Sequence, residues 1–278
     1  MTEVGTVPTR SSCGVGRLAY FSDRDGDEEI FVLDLETGIE RQVTDNIHGD
    51  WGAVWLPGGD RIGYVSLRED DEEIFVLDLE TGIERQVTDN PSAKSSAVWS
   101  PDGGRIAYVG DSGNSSEISI VDVETGIERQ VTEDGYVWAL VWSPDGGSIA
   151  YATDVGGLEV LILDLVSGVE RQMTYDSDME DVVGLVWSPD GGSVAFSGYV
   201  WGHLDWKTFV IDVDTDVVEL VDNTNDDLGP VWSPDSACVA YTSNRDGDWD
   251  VYILDLATGV ELQITDNTDL DVATDWAL

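Results

Sequence analysis

Hydrophobic and polar residues recur in a fixed order along almost the whole chain. In the segment from Ala97 to Thr132, a short apolar stretch ends at Trp99, and Ser-Pro-Asp-Gly follows it. Proline at the second and glycine at the fourth position of this tetrapeptide favour a type I turn. Two apolar stretches come next, Arg105 to Val109 and Glu117 to Val121, and the charged stretch Glu128 to Thr132 ends the unit. Apolar and polar residues alternate in the second of these stretches. The pattern predicts four short antiparallel strands, which we call A to D in chain order.

This unit returns every 43 to 45 residues, and a tryptophan at the end of each predicted strand A marks its phase. A repeat of this length that contains only strands and turns is typical of a β-propeller, in which one repeat forms one blade. The charged strand D suits the outer edge of a blade, because charge discourages pairing between exposed sheet edges. The phasing tryptophans are Trp55, Trp99, Trp142, Trp187, Trp232 and Trp276.

We therefore predict an all-β fold, a six-bladed β-propeller of four-stranded antiparallel blades. The chain begins with strands B to D of the first blade, from Arg17 to Thr44, and ends with the segment Ala273 to Leu278. We expect this C-terminal segment to supply strand A of the first blade and so to close the ring. The predicted organisation is an N-terminal tail at residues 1–11 and a single propeller domain at residues 12–278.

The composition is strongly acidic, with 57 Asp and Glu against 13 Lys and Arg and a formal net charge of −44. Only Lys94 and Lys207 are lysines. Such a field repels nucleic acid, so no nucleic-acid partner is expected. An acidic surface poor in lysine indicates a high-salt environment, since the Debye length in 1 M salt is only about 3 Å. No apolar stretch has the length of a membrane span, and we expect a monomer that does not insert into membranes.

The compartment stays open at this stage. The N-terminus shows no positively charged, apolar leader, which predicts a cytosolic protein or the mature form of an exported one. Cys13 and Cys238 fall in blades that we expect to be neighbours. We favour two free thiols over a disulfide bridge, because two cysteines do not make a disulfide framework.

Two stretches of the repeat resemble a known family. Trp-Ser-Pro-Asp-Gly-Gly-Arg-Ile-Ala-Tyr at 99–108 and Ser-Asn-Arg-Asp-Gly-Asp-Trp-Asp-Val-Tyr at 243–252 look like the repeat of the TolB-type, WD40-like propellers. The resemblance covers nearly everything after Arg17 and implies a propeller fold. Functions known among its members are binding of proteins or peptides, gating of prolyl-oligopeptidase-type enzymes, and lyase activity. The sequence shows neither the α/β domain of TolB nor a Gly-x-Ser-x-Gly motif, so we expect a free-standing propeller.

Turns alternate between the two ends of an up-and-down blade. The A–B and C–D turns share one face and are monotonous, whereas the B–C and D–A loops share the other face and vary between repeats. Binding residues commonly lie on such variable loops. We place the five remaining tryptophans there, with Trp51 and Trp138 in D–A loops and Trp201, Trp206 and Trp249 in B–C loops. Beside acidic residues they suit stacking on sugar rings or holding a cationic or aromatic peptide side chain. The alternative is packing at the loop bases.

The B–C loop of the fifth repeat is the most irregular and is our first candidate for ligand contact. It contains Trp201, His203, Asp205, Trp206 and Lys207. A histidine beside carboxylates can serve as a base or a metal ligand. A lone histidine on an exposed loop is more often neither, so both interpretations stay open.

One acidic loop resembles the start of a calcium-binding loop, with Asp23, Asp25 and Asp27 at alternate positions. Its sixth position is Glu28 rather than glycine, so a tight acidic hairpin turn is the favoured interpretation. We therefore predict no cofactor, with weak Ca²⁺ binding as the alternative. The aspartates that end each strand C are interpreted as turn-capping residues. They are Asp34, Asp78, Asp122, Asp164, Asp212 and Asp255.

No nucleophile–base set, phosphate-binding glycine loop or zinc spacing is present in the sequence. Our leading hypothesis is a non-catalytic binding or scaffolding propeller that recognises a protein or peptide through the variable face and central channel. The first alternative is a carbohydrate-binding or carbohydrate-active protein that uses carboxylates such as Asp181 or Asp205. The second is a designed or recently amplified propeller without an evolved ligand, because residues 28–46 recur unchanged at 72–90.

Overall fold

A computed structural model describes most of the chain. The described residues are 17–22, 27–34, 37–56, 58–68, 71–89, 94–111, 115–133, 135–154, 157–174, 179–200, 205–215, 218–220 and 225–265. The segment predicted to close the ring lies outside these ranges, as do Cys13, Asp23, Asp25, Trp201 and His203. The chain divides into two compact units, Met1–Ala93 and Lys94–Leu278. The described residues include no helix that is long and apolar enough to cross a membrane.

The first unit contains two antiparallel sheets, in which neighbouring strands follow one another along the chain. Among the described residues sheet 1 has three strands, at the positions predicted for strands B to D of the first repeat. Sheet 2 has all four strands, and its strand A packs against sheet 1. The strands are β1 (Arg17–Ser22), β2 (Glu29–Asp34) and β3 (Glu40–Gln42) in sheet 1, and β4 (Asp50–Trp55), β5 (Arg61–Arg68), β6 (Asp71–Asp78) and β7 (Glu84–Gln86) in sheet 2.

The second unit contains four antiparallel sheets of four strands each, numbered 3 to 6. Sheet 3 comprises β8 (Lys94–Trp99), β9 (Arg105–Asp111), β10 (Ser116–Asp122) and β11 (Glu128–Gln130). Sheet 4 comprises β12 (Val137–Trp142), β13 (Ser148–Asp154), β14 (Leu158–Asp164) and β15 (Glu170–Gln172). Sheet 5 comprises β16 (Met179–Trp187), β17 (Ser193–Val200), β18 (Asp205–Asp212) and β19 (Val218–Leu220). Sheet 6 comprises β20 (Asp227–Trp232), β21 (Cys238–Ser243), β22 (Asp250–Asp255) and β23 (Val260–Gln263). This is the all-β, six-sheet content predicted for a six-bladed propeller.

Burial is greatest in strands B and C, as in β5 and β6, and strand A is only partly buried, as in β4 and β20. Strand D is the most exposed, and β11 and β23 are exposed at every position. Strands B and C form the core, and in β10 the polar residues are buried as well. Glu117 and Ser119 are each only 9% exposed.

Three of the phasing tryptophans join a sheet of the second unit to the sheet before it. The indole N–H of Trp142 donates to the carbonyl of Val98 at 3.0 Å, so strand A of sheet 4 is bonded to strand A of sheet 3. Trp187 and Trp232 make the same bond one and two repeats later. The guanidinium of Arg105 lies 4.7 Å from the Trp142 ring centre. Trp142, Trp187 and Trp232 therefore both mark the period in the sequence and connect successive sheets.

The two repeated turns have the predicted hydrogen bonds. In the turn after Trp99, Gly103 N donates to Ser100 O at 2.8 Å, and the Asp102 carboxylate accepts from Ser100 Oγ at 2.6 Å. Each aspartate that ends a strand C accepts a backbone N–H from the Thr or Ser three residues later. The turn-capping interpretation is therefore confirmed. Cys238 has a free thiol, and the prediction that it does not pair with Cys13 concerns a residue outside the described ranges.

Strand A is irregular in every described sheet that contains it. In sheets 2, 3, 5 and 6 a β-bulge holds a residue with positive φ at one position of the repeat, three residues before the tryptophan. Only glycine adopts this conformation without strain, and three of the four residues are glycines. They are Gly52, Ser96, Gly184 and Gly229. In sheet 4 the bulge instead falls at Trp138, between Val137 and Ala139.

Candidate functional site

Three of the tryptophans assigned to loops lie in strands. Trp51 is the second residue of β4, Trp138 the second of β12 and Trp206 the second of β18. The loop assignment was wrong because these strands begin before the apolar stretch: Trp51 pairs with Val65, and Trp206 with Tyr199. Trp249 lies in the B–C loop before β22, as predicted.

Trp138 is the most exposed of the described candidate tryptophans. Its side chain is 46% exposed, and that of Tyr136 beside it is 51% exposed. The bulge at Trp138 accounts for this, because a bulge turns a side chain out of the regular pleat. Trp51 and Trp206 are half-buried, and Trp206 packs edge-on against Tyr199 with ring centres 5.5 Å apart. These contacts agree with packing for Trp206 and leave Trp138 available to a ligand.

Asp205 and Lys207 form a buried ion pair. Lys207 Nζ donates to Asp205 Oδ2 at 2.8 Å and to the carbonyl of Asn225 at 3.1 Å. Lys207 is 2% and Asp205 8% exposed. Asp205 therefore acts as the counter-ion of a buried ammonium group. Asp181 lies in β16, where its carboxylate accepts from the backbone N–H of Val182 at 2.9 Å.

An acidic pocket of about 240 Å³ lies between sheets 3 and 4. Most of its lining comes from the ends of strands that meet at the B–C and D–A side, the face that varies between repeats in the sequence. Four of the lining residues are glutamates, and no basic side chain is among those that the structure describes. The lining residues are Glu117, Thr132, Glu133, Val137, Tyr151, Thr153, Glu159, Leu161, Glu170 and Gln172.

Hydrogen bonds fix the walls of the acidic pocket. Glu117 accepts from Thr132 Oγ1 at 3.0 Å and from the backbone N–H of Gly135 at 3.2 Å. The connection between the two sheets is bonded on both sides, because Ser116 N donates to Gly135 O at 3.0 Å and Asp154 N to Tyr136 O at 3.1 Å. The pocket is therefore held in shape before any ligand arrives.

The phenol of Tyr151 stays protonated in this acidic pocket. Burial raises its pKa most, and the Glu170 and Glu117 carboxylates raise it further. The hydroxyl donates to Glu170 and fixes the direction of that carboxylate. The pocket was not predicted from the sequence, because its lining residues come from five strands and from the connection between sheets 3 and 4. One sequence pattern could have pointed to the pocket. A Glu near the start of a buried strand C is followed fifteen residues later by a Thr, as in Glu117 and Thr132.

A cluster of three carboxylates occurs in the B–C loop of sheet 6. Oxygens of Asp246, Asp248 and Asp250 lie within 4.8 Å of one another. They have the spacing predicted for the calcium-like loop of the first repeat, where only Asp27 is described. Burial raises the pKa of Asp246, but hydrogen bonds, led by that from Gln263, outweigh it and leave the pKa below its ordinary value. Asp250 accepts from Thr265 Oγ1 at 2.9 Å. Since its carboxylates already have protein donors, the cluster alone does not define a metal site.

Similar folds occur in solved structures of several kinds. TolB from Acinetobacter baumannii superimposes with a TM-score of 0.61 at 20% identity, over 92% of this chain and 65% of that one. An oligogalacturonate lyase in complex with manganese gives 0.73 at 17% identity, over 89% of this chain and 73% of that one. A puromycin-hydrolyzing peptidase from Mycobacterium tuberculosis gives 0.70 at 17% identity, over 90% and 44%.

At sequence identities of 17% to 20%, these similarities show a shared fold and nothing about function. The chain spans less than two thirds of the Acinetobacter TolB, with 65% of that chain covered. No curated protein sequence matches the chain significantly. The sequence model of the TolB beta propeller domain matches residues 6–182, well over half of the chain. Together with the six antiparallel sheets, this match shows that the chain belongs to the TolB beta propeller domain family.

Proposed function

We propose that the protein is a non-catalytic binding module that recognises a cationic segment of a protein or peptide at the acidic pocket between sheets 3 and 4. One observation carries the proposal: four glutamates line a pocket of about 240 Å³ without a basic residue among its described walls. A lysine or arginine side chain would supply the missing charge. Its methylene stem would lie against Val137 and Leu161, since long basic side chains bury their stems on apolar surface.

The rigidity of the walls supports binding over simple surface attraction. Exposed ion pairs contribute little, about 0 to 1 kcal/mol, and screening by salt weakens them further. Carboxylates already fixed by hydrogen bonds lose less entropy when a partner arrives. Glu117 and Glu170 are fixed in this way by Thr132 and Tyr151. A ligand bound in the pocket is therefore expected to be held at salt concentrations that abolish loose association.

Aromatic side chains extend the proposed binding surface beyond the pocket. Tyr136 and Trp138 flank Val137, a lining residue, and both are about half exposed. They offer π faces to a second cationic or aromatic residue of the same peptide. Most stable interfaces centre on such aromatic anchors.

The carbohydrate alternative draws its support from fold likeness. Asp205, one of its candidate carboxylates, is the counter-ion of Lys207. The four pocket glutamates would repel an acidic oligosaccharide. A cationic peptide is therefore the ligand class that the described charges fit better.

The proposal is tested with pairs of short peptides that carry either lysine or uncharged norleucine at one central position. Binding in molar KCl is followed by calorimetry and by tryptophan fluorescence. We expect the lysine peptides to bind more tightly. Glu133→Gln combined with Glu170→Gln should raise the Kd by about tenfold, which is ~1.4 kcal/mol.

Glu124→Gln is the matched control, because it removes one carboxylate from an exposed C–D turn away from the pocket. This variant should bind as the unmodified protein does. Equal affinity for both peptides of each pair, or equal loss in the pocket variant and the control, would contradict the proposal.

A further inference from the structure

Two carboxylates are buried side by side in the first unit, outside the acidic pocket. Glu29 begins β2 and is 1% exposed, and Asp50 begins β4 and is fully buried. Asn46 bonds to both, since its backbone N–H donates to Glu29 Oε1 at 2.7 Å and its Nδ2 to Asp50 Oδ2 at 2.8 Å. Asp50 N also donates to the carbonyl of Glu28 at 2.6 Å. One asparagine thus holds the two acidic groups next to each other.

Asp50 Oδ1 is buried with no hydrogen-bond partner among the described residues. Glu29 Oε2 makes no bond of normal geometry, although the hydroxyl of Thr44 lies beside the Glu29 carboxylate. No described basic side chain forms an ion pair with either group, and Arg68 of the same unit is paired with Glu84 at 2.7 Å. Two adjacent buried carboxylates cannot both be ionised without a cation between or beside them. The pair therefore needs either a proton on one carboxylate or a positive charge beside it.

The repeat contains an internal comparison in which the chain itself supplies this charge. Lys207 lies five residues before the aspartate that ends its strand C, as Glu29 does. Asp227 begins β20 and is fully buried, as Asp50 is in β4. The ammonium of Lys207 is bonded to Asp205. Asp227 lies 3.5 Å from Arg245 Nη2, and Arg245 also pairs with Glu261, as Arg68 pairs with Glu84 in sheet 2. The first unit has a carboxylate where the fifth sheet has an ammonium.

We propose that Glu29 and Asp50 bind a divalent cation of the calcium type in the first unit. Hard cations of this class prefer carboxylate oxygens and accept water in the remaining coordination positions. Asp27, two residues before Glu29 and partly exposed, would face the ion from the solvent side. The cation would then replace the ammonium that the fifth sheet provides, and would tie the start of β2 to the start of β4.

The experiment uses chelator-treated full-length protein in molar KCl, where loose binding to the acidic surface is screened. Calcium chloride is added, and binding is measured by calorimetry and thermal unfolding, with magnesium and manganese as comparison ions. We expect one tight site and a Tm that rises by several degrees at a calcium concentration ~100 times the Kd. Glu29→Gln and Asp50→Asn should each weaken calcium binding at least about tenfold, because each removes a charged ligand.

Two further variants separate this site from general effects. Glu73→Gln changes the same repeat position in sheet 2 and should leave calcium binding unchanged. Glu29→Lys should reproduce the arrangement of the fifth sheet, with a folded protein whose Tm no longer responds to calcium. If a variant fails to fold, calorimetry on the unmodified protein still shows whether the calcium site exists.

Several results would overturn the proposal. One is the absence of a stoichiometric calcium site in the unmodified protein. Another is binding that survives Asp50→Asn but is lost in Asp250→Asn, which would move the site to the carboxylate cluster of sheet 6. A third is a Tm that rises on acidification without any metal binding, which would show that a shared proton serves in place of a cation.

Discussion

Replacing Thr132 by valine should destabilise the fold through two buried hydrogen bonds. Thr132 Oγ1 accepts from the backbone N–H of Ile118 at 2.8 Å and donates to Glu117 Oε2 at 3.0 Å. Thr132 is only 5% exposed, so water does not readily replace either bond. The same pair of contacts recurs in sheets 2 and 4, at Thr88 and Thr174. The hydroxyl thus joins the end of strand D to the start of strand C in these three sheets.

The size of the effect follows from the two groups that valine would leave without a partner. Leaving the buried N–H of Ile118 without a hydrogen bond costs about 1–3 kcal/mol. Removing the bond to the Glu117 carboxylate costs at least a comparable amount. Thr132→Val should therefore lower the free energy of unfolding by about 2–5 kcal/mol. For a domain of this size the Tm would fall by roughly 4–20 °C.

The assay is reversible unfolding in molar KCl, followed by circular dichroism. Thr132→Ser keeps the hydroxyl and should lose much less stability. Thr125→Val removes a threonine that bonds to Asp122 on an exposed turn, and should lower stability by under about 1 kcal/mol. If the free energy of unfolding of Thr132→Val equals that of Thr132→Ser and of the unmodified protein, the assigned role of this hydroxyl is refuted.

Two further predictions concern charge. The protein has 57 acidic and 13 basic residues, and salt screens the repulsion between the acidic ones. Raising KCl from dilute to molar concentration should therefore raise the Tm. A Tm that does not change with KCl would contradict the high-salt interpretation. The bond from Ser100 Oγ, followed by that from Gly104 N, holds the pKa of Asp102 below its ordinary value. Asp102→Asn should therefore be less stable than the unmodified protein at neutral pH, with the difference shrinking as the pH falls through the lowered pKa of Asp102. Urea unfolding across the acidic range measures this, and a difference independent of pH would count against it.

The fold was predictable because the same pattern of strands and turns recurs along almost the whole chain. Tryptophan, Ser-Pro-Asp-Gly and Thr-Gly recur at constant spacing, and each has a local physical role that the structure retains. Strand boundaries were less predictable at the start of strand A. There Trp51 joins the hydrogen-bonded ladder although Asp50 and Gly52 flank it, so hydrophobic pattern alone placed it in a loop. Trp138 stands in an apolar stretch whose first residue, Val137, already pairs with Thr153.

The candidate site was predictable only to the level of a face. The variable B–C and D–A side was identified from the sequence, and the acidic pocket lies there. The pocket itself depends on Glu117, Glu133, Glu159 and Glu170, which belong to different strands and connections and come together only in the folded chain. Likewise, the buried partnership of Glu29 and Asp50 depends on Asn46, whose two bonds no spacing rule predicts.

The central claim is that the pocket between sheets 3 and 4 selects a positively charged side chain. Its most direct test is the difference in Kd between a lysine peptide and its norleucine counterpart in molar KCl, measured by calorimetry. The account predicts tighter binding of the lysine peptide, and a loss of that preference in the Glu133→Gln, Glu170→Gln double variant. Equal affinities for the two peptides, or a preference that the double variant retains in full, would contradict it.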